Sequence, residues 1–537
     1  MAKQIVIGPE AREKVVRGIT KLADAVTSTL GPNGRNVLYS DGYTTYSTKD
    51  GVTVAKNIEL SDPFEQLGVS LIKQAAVKTA DYVGDGTTTS TLLASEIVKA
   101  GMKHLANGVN AVELKREIDQ AVENIIDYLE SDFSVDIESE EQLEDIATIS
   151  ANGDSKLGKL IATAIQKVGR EGAVVIEESN LYEDSLEIVE GIQFDRGYKS
   201  HYFVTNNSSM TSVLENPYIL IADKKFTQVK DLLPVLEGVS NTNRPLLIIA
   251  DDVEGEALAT LIVNKMRGTL KVAAVKAPDF GDRKKLIMDD IAILTGGEVF
   301  STDKGMKLDK FSWDWFGEAR TVTITKEQTT IVDGKGRDES IQTRIEELQQ
   351  QIEKAKTPFE TEKLQERLAK FTGGIGVVNI GGATETEVKE KKDRAEDALF
   401  ATRAAVESGI VPGGGCALLK AADHANWENI GLGADIVREV CRMPATKILR
   451  NAGASDFEIF GILNEVAADD ENWTGYDLVV GHIDLIDLHQ QGILDPTKVT
   501  VSALRNAASI AGTILLTETV IVDEPKDEDE QEPFPMG

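Results

Sequence analysis

The sequence predicts a multidomain, mainly α protein with an α/β segment in its middle. At 537 residues the chain exceeds one hydrophobic core by a wide margin, since domains usually hold about 100 to 200 residues. Both ends carry apolar residues every three or four positions, the period of amphipathic helices. The middle carries short β-branched or aliphatic runs separated by helical stretches, the pattern of an α/β unit.

Over 10–30, Val15, Ile19, Leu22, Val26 and Leu30 form one helical stripe. Gly31-Pro32-Asn33-Gly34 stops it, because Pro cannot continue a helix and Gly accepts a left-handed backbone. A strand can follow at 36–39, and helical pattern resumes over 64–80, 88–107 and 114–129. In the middle, 173–177, 218–222, 246–250 and 271–276 read as strands, with a helix over 254–267. Residues 339–371 read as a charged helical hairpin: Ile341, Ile345, Leu348 and Ile352 on one stripe, a bend at Thr357-Pro358, then Leu364 and Leu368 on the return. It is expected to pack on its own domain. Helical pattern returns over 386–408 and is expected to run, with breaks at 409–415 and near Gly453, to Leu516. Gly191, Gly373-Gly374, Gly381-Gly382 and Gly409 are candidates for hinges or tight turns. The stretch DEPKDEDEQEPFPMG, 523–537, is acidic and proline-rich and is expected to be disordered.

Against 89 acidic residues stand 57 basic ones, so the net charge is 57 − 89 = −32. That argues against a surface for nucleic acid or anionic membrane. Cys416 and Cys441 make no disulfide framework and fit no metal spacing. No apolar run reaches the length of a membrane span, and the start MAKQIVIGPEAREK has no signal-peptide core, so a cytosolic location is expected.

Gly84-Asp85-Gly86-Thr87-Thr88-Thr89 carries the most chemistry. Glycines let backbone N–H groups approach an anion, and a helix N-terminus adds about half a positive charge. The segment has no Lys or Arg, so a carboxylate beside phosphate requires a cation between them, and Asp85 reads as a Mg²⁺ ligand. Asp, Gly and Thr are also ordinary helix starters, and the segment alone leaves both readings open. The pattern GxxxxGK[ST] is absent, which disfavours a P-loop.

Other segments carry a resemblance. LGPNGRN at 30–36, TKDGVTVAK at 48–56, GDGTTT at 84–89, ISANGD at 149–154, FDRGY at 194–198, VEGEALATL at 253–261, VKAPDFGDR at 275–283, EDALFATRAAV at 396–406 and GILDPTKV at 492–499 resemble, in order, signatures of the group I chaperonins, the GroEL family. The resemblance implies a chaperonin fold: an equatorial ATP-binding domain from 1–131 and 409–522, an intermediate hinge domain from 132–189 and 376–408, and an apical substrate-binding domain from 190–375. It implies an ATP-dependent molecular chaperone, a homo-oligomeric and usually heptameric ring that encloses non-native client proteins, with a separate co-chaperonin as lid.

Residue by residue, the resemblance implies nucleotide contacts at Thr29, Leu30, Gly31, Pro32, Gly86, Thr87, Thr88 and Thr89, Mg²⁺ on Asp85, and K⁺ on backbone oxygens near Thr29 and Lys49. Gly413, Gly414 and Asp495 match ribose and base contacts, and Asp477 falls beside the adenine. Asp397 matches the carboxylate that activates water, with Asp50 assisting. Read without the resemblance, Asp397 beside Arg394 and Arg403 is a solvated salt-bridge residue. Because Asp397 is distant in sequence from Asp85, hydrolysis is expected to require hinge closure. Tyr198, Tyr202, Phe203, Leu233, Leu236, Leu258, Ile262 and Val263 match the client-binding face; without the resemblance they read as core. Leu258 and Ile262, at i and i+4, share a helix face.

Lys199 and His201 are more polar than expected on that face. Ser408 and Val501, Thr446 and Ser455, and Asn107 replace residues of inter-subunit contacts, which implies altered assembly, with a single ring as one form of it. A ring scaffold with little ATPase is the main rival reading, and the intact Asp50, Asp85 and Asp397 set argues against it. A small-molecule phosphotransferase lacks an acceptor-activating site.

Overall fold

The computed structural model describes residues 3–40, 45–169, 172–179, 181–206, 209–302, 304–355, 357–428, 430–469, 472–478 and 484–523. The acidic segment after Asp523 lies outside them. The chain divides into two compact units: one comprises residues up to Ala162, Glu178–Glu183 and those from Ile380 onward, the other Thr163–Glu177 and Asp184–Asn379.

The first unit is mainly helical. Helices Pro9–Thr27, Pro63–Val83, Thr87–Ala106, Ala111–Tyr128, Leu432–Cys441 and Thr497–Leu515 bury their apolar stripes in one core. The Thr497–Leu515 helix is buried on most of its faces, through small and branched residues such as Val501, Ala503, Ala507 and Ala511. Local chemistry sets the ends: the Asn110 side chain accepts from Val112 and Glu113 N–H groups, and Asp62 likewise caps the Pro63–Val83 helix. A second core joins helices Cys416–His424, Met443–Asn451 and Asp456–Ala468. A third, with Ile146, Ala401, Ala405, Ile410 and Leu494, holds helix Glu385–Ser408 against Glu140–Ser150.

Among the described residues, four two-stranded antiparallel sheets complete this unit. Lys3–Ile7 pairs with Thr519–Asp523, and Val37–Ser40 with Thr45–Thr48. Ile410–Pro412 pairs with Leu494–Pro496, and Thr474–Asp477 with Asp484–Asp487. The last two pairs correct the expectation of helix through to Leu516. Between the Asp456–Ala468 and Thr497–Leu515 helices, Gly475, Gly492 and Pro496 interrupt the helical period, and the short runs between them pair as strands.

The second unit is α/β. Strands Val272–Lys276, Leu246–Val253 and Tyr218–Phe226 are adjacent and parallel. Gly317–Ile324, Thr329–Gly334 and Gly191–Phe194 extend the sheet antiparallel, and Ser212–Glu215 pairs with Gly317–Ile324. Leu246 to Ala250 are wholly apolar and buried, as a parallel strand covered on both faces requires. Helices Leu233–Thr242 and Gly255–Met266 make the crossovers. The helical hairpin is present as Asp338–Lys354 and Pro358–Thr372, and it packs on its own unit through Ile341, Leu348 and Phe371. Asp290, only 2% exposed, binds both arms of it. Its Oδ1 accepts from Arg344 Nε at 2.9 Å and its Oδ2 from Arg367 Nε at 2.7 Å.

Candidate functional site

The first unit brings two helix starts together. Helix Pro63–Val83 ends at Gly84 (φ 74°), and Gly86 (φ 78°) leads into helix Thr87–Ala106. Both glycines are left-handed, so a side chain at either is strained. Space forbids one as well: a Cβ on Gly84 would lie 2.2 Å from the Phe400 ring, and one on Gly86 would lie 2.7 Å from Val499. No side chain caps the Thr87–Ala106 helix, so its first-turn N–H groups are left for an external acceptor. The second helix, Gly51–Lys56, starts alongside. A Cβ on Gly51 would lie 2.1 Å from Thr88 Oγ1, so only glycine allows this approach.

Asp50 caps that second helix, its Oδ1 accepting from Val52 N–H at 3.1 Å and its Oδ2 from Thr53 N–H at 2.8 Å. Asp85 Oδ1 accepts from the Gly86 N–H at 2.5 Å and Oδ2 from Ser150 Oγ at 3.2 Å. Around them stand further acids. Burial raises the pKa of Asp85, and Asp50 adds to the rise while the Gly86 and Ser150 hydrogen bonds oppose it. Asp397 lies well above the usual carboxylate range, through burial first and then the charges of Asp85, Asp50, Asp393 and Glu396. Asp393 is pushed up to about 7 by burial, Glu396 and Asp50. Asp495 also reaches about 7, by burial and Asp85. Each of these acids keeps a little accessible surface, although burial is the first cause of the raised pKa values of Asp85, Asp393, Asp397 and Asp495.

Like charges held this close are poorly satisfied without a cation. Among the described residues no three His, Cys, Asp or Glu side chains converge tightly enough to hold a metal alone. The donor set therefore fits Mg²⁺ held by one carboxylate with phosphate oxygens and water, the usual manner of that ion. Arg394 is not the partner of Asp397; its Nη2 donates to Glu390 Oε2 at 2.9 Å and its Nη1 reaches Asp154 at 3.4 Å.

Thr29 to Pro32 follow the Pro9–Thr27 helix. Asn451 Nδ2 donates to the carbonyls of Thr27 and Leu30 at 3.0 and 2.9 Å, and Gly31 (φ 84°) packs on Ile448. Gly415 packs on Pro444 and Ala445 of the same Met443–Asn451 helix, so 29–32 and 413–415 share a support. Gly413 N–H donates to the Ile493 carbonyl at 2.9 Å, and the Gly414 carbonyl accepts from Tyr476 OH at 2.6 Å. Asp495 pairs with Val411 in register. Asp477 follows Tyr476 at the end of its strand and pairs with Asp484, and Lys49 is half-buried just before Asp50. Sequence reasoning missed Asp393 and Ser150. Asp393 stands one turn before Asp397, an i, i+4 pair visible in the sequence, and Ser150 lies inside ISANGD.

The model of the TCP-1/cpn60 chaperonin family matches residues 22–525. The chain belongs to that family. It is accordingly a molecular chaperone of the chaperonin fold, multidomain and mainly α with α/β. Chaperonins are ATPases that bind ATP with Mg²⁺, form oligomeric rings and bind client proteins.

The eight residues matched to the chaperonin client face all lie in the second unit, and they differ in exposure. Tyr202, Leu233 and Val263 are exposed; Tyr198, Leu258 and Ile262 are half-buried against the core. Phe203 is fully buried and Leu236 is 5% exposed, which corrects their assignment to the face. Phe203 closes a short 3-10 turn with its ring in the core, and Leu236 lies on the buried side of its helix with Val235 and Val239. Met266 and Phe280 are exposed nearby in sequence and were not expected. Lys199 is held by Asp252 at 2.6 Å. Among the described residues no helix is long and apolar enough to cross a membrane.

Proposed function

We propose that this chaperonin is of the group I type and uses the cleft of Asp50, Asp85 and Asp397 to bind and hydrolyse ATP, driving a ring that captures and folds client proteins. The carrying observation is the convergence of these acids on an uncapped helix start. In this reading the N–H groups of Thr87, Thr88 and Thr89 hold phosphate oxygens, and Thr29 to Pro32, Gly413, Gly414, Asp477 and Asp495 surround the rest of the nucleotide. Asp85 offers an oxygen to Mg²⁺, and the backbone oxygens of Thr29 and Lys49 hold K⁺. Bound Mg²⁺ supplies the positive charge that lets phosphate sit beside carboxylates.

Asp397 orients the attacking water and takes its proton. A raised pKa suits that task, because a base works best when its pKa approaches the working pH. Asp50 keeps the second helix start in place through its two cap bonds, so its assistance is mainly positional. Tyr202, Leu233 and Val263 provide apolar contacts for unfolded polypeptide, each worth about 1 to 3 kcal/mol when covered. Repetition around a heptameric ring multiplies them. A separate co-chaperonin closes the chamber. The polar replacements at Thr446, Ser455, Ser408 and Asn107 accompany altered stacking of rings.

Phosphate release by the wild type and Asp397→Ala tests the reading. We expect the variant to retain nucleotide binding and to lose about 100-fold or more in turnover. Equal rates would leave a chaperonin-like scaffold without an ATP cycle.

A further inference from the structure

We infer that Phe400 is a positioning residue for hydrolysis: its ring, seated on Gly84, sets how close the Glu385–Ser408 helix brings Asp397 to Asp85. The role rests on the nucleotide reading above. In that helix Asp393, Asp397, Phe400 and Ala404 recur at steps of four, three and four, so they lie along one face. At Asp397 this face feels the charges of Asp85 and Asp50. Less than one turn further on, Phe400 meets Gly84, the residue immediately before Asp85.

The contact leaves no gap. A Cβ on Gly84 would lie 2.2 Å from Phe400 Cγ and 2.4 Å from its Cβ, so the base of the ring rests directly on the glycine backbone. Gly84 is also held from behind, because its N–H donates to the Ala80 carbonyl at 2.9 Å and ends the Pro63–Val83 helix. The ring is thus a spacer of fixed size. On one side of it stands the helix that carries the base, and on the other the turn that carries the metal ligand.

Core packing alone does not ask for this ring. Phe400 is 47% exposed, while the buried Val83, Ala404 and Val499 already close the seam beside it. Lys498 ties the far end of the same seam: its Nζ is 2.7 Å from Glu407 and 5.0 Å from the centre of the Tyr82 ring, and its backbone N–H donates to Ser408 Oγ at 3.0 Å. Phe400 meets Gly84 between that pinned end and Asp397, where it governs the placing of the carboxylate. A shift of about 1 Å in a reacting group costs about 100-fold in rate. Loss of the ring is therefore felt in the chemical step, and Phe400 brings no polar group to the nucleotide whose loss would weaken binding.

Phosphate release by the purified full chain, with titration of ADP onto the same samples, tests this in Phe400→Ala and Phe400→Tyr. Phe400→Ala is expected to lose about tenfold or more in turnover at saturating ATP and Mg²⁺, with ADP affinity within about twofold of wild type and an unchanged thermal midpoint. Phe400→Tyr keeps the ring and recovers most of that turnover. Wild-type turnover in Phe400→Ala overturns the inference. So does a loss of turnover matched by an equal loss of ADP affinity or by a lowered thermal midpoint, which would make the ring a support of the turn and no more. Asp397→Ala separates this inference from the reading beneath it: wild-type turnover there removes the nucleotide reading, whereas slow Asp397→Ala beside fast Phe400→Ala removes this inference alone.

Discussion

Burial first, and then the charges of four neighbouring acids, raise the pKa of Asp397 and so set the pH at which it would serve as the proposed base. Removing one like charge lowers its pKa. Asp393 carries its charge only above about pH 7, so Asp393→Asn should raise turnover relative to wild type most between pH 7 and 8; phosphate release across pH 5 to 8 checks it, and a loss of turnover there would remove Asp393 from this role. Stability obeys the same linkage. Asp495 reaches about 7 when folded against 3.8 ordinarily, so the folded chain holds a proton that the unfolded chain releases. Its contribution declines as pH rises from about 4 to about 7. Nucleotide-free wild type should thus lose thermal midpoint relative to Asp495→Asn between pH 5 and pH 8, seen by calorimetry. Asp85→Asn should raise the Mg²⁺ concentration needed for half-maximal turnover about tenfold or more, while excess chelator stops wild-type turnover altogether. The residue types of this cleft were legible in GDGTTT and EDALF, and Asp393 could have been found by counting back one turn. Burial was not legible: Phe203 and Leu236 have the composition of a binding face and the surroundings of a core, and only the fold distinguishes the two.

Among the elements, the helical hairpin is tied down by one buried group. Asp290 accepts from Arg344 and Arg367, one on each arm. Asp290→Ala would leave two guanidinium groups without their shared partner, a change of about 3 to 5 kcal/mol. We expect hydrogen-exchange protection of Asp338–Lys354 and Pro358–Thr372 to fall sharply, with the Asp85 cleft unaffected; retained protection would show that Ile341, Leu348 and Phe371 hold the hairpin unaided. Helices were the legible elements, because a 3.6-residue stripe survives over many turns, as in Ala111–Tyr128. The strand pairs Thr474–Asp477 with Asp484–Asp487 and Lys3–Ile7 with Thr519–Asp523 were not. Each is four or five residues long, too short for a period to stand out, and the second joins segments at opposite ends of the chain.

For the whole molecule, the division into two units has a direct test. The seven strands of the α/β sheet and the hairpin all fall between Gly191 and Thr372, so a fragment of 191–373 should unfold cooperatively by itself in circular dichroism; a non-cooperative melt would show that the sheet depends on the other unit. The pairing of Lys3–Ile7 with Thr519–Asp523 bears on biosynthesis. A ribosome releases Lys3–Ile7 long before Thr519–Asp523, and the Thr497–Leu515 helix that fills the helical core emerges almost as late as that partner. The contiguous α/β unit can fold while translation continues. The helical unit must wait, with Ile19, Leu93 and Ile118 uncovered for most of the time the chain is being made. A newborn subunit of this chaperonin is thus, until Thr519–Asp523 appears, the kind of polypeptide that chaperonins shelter.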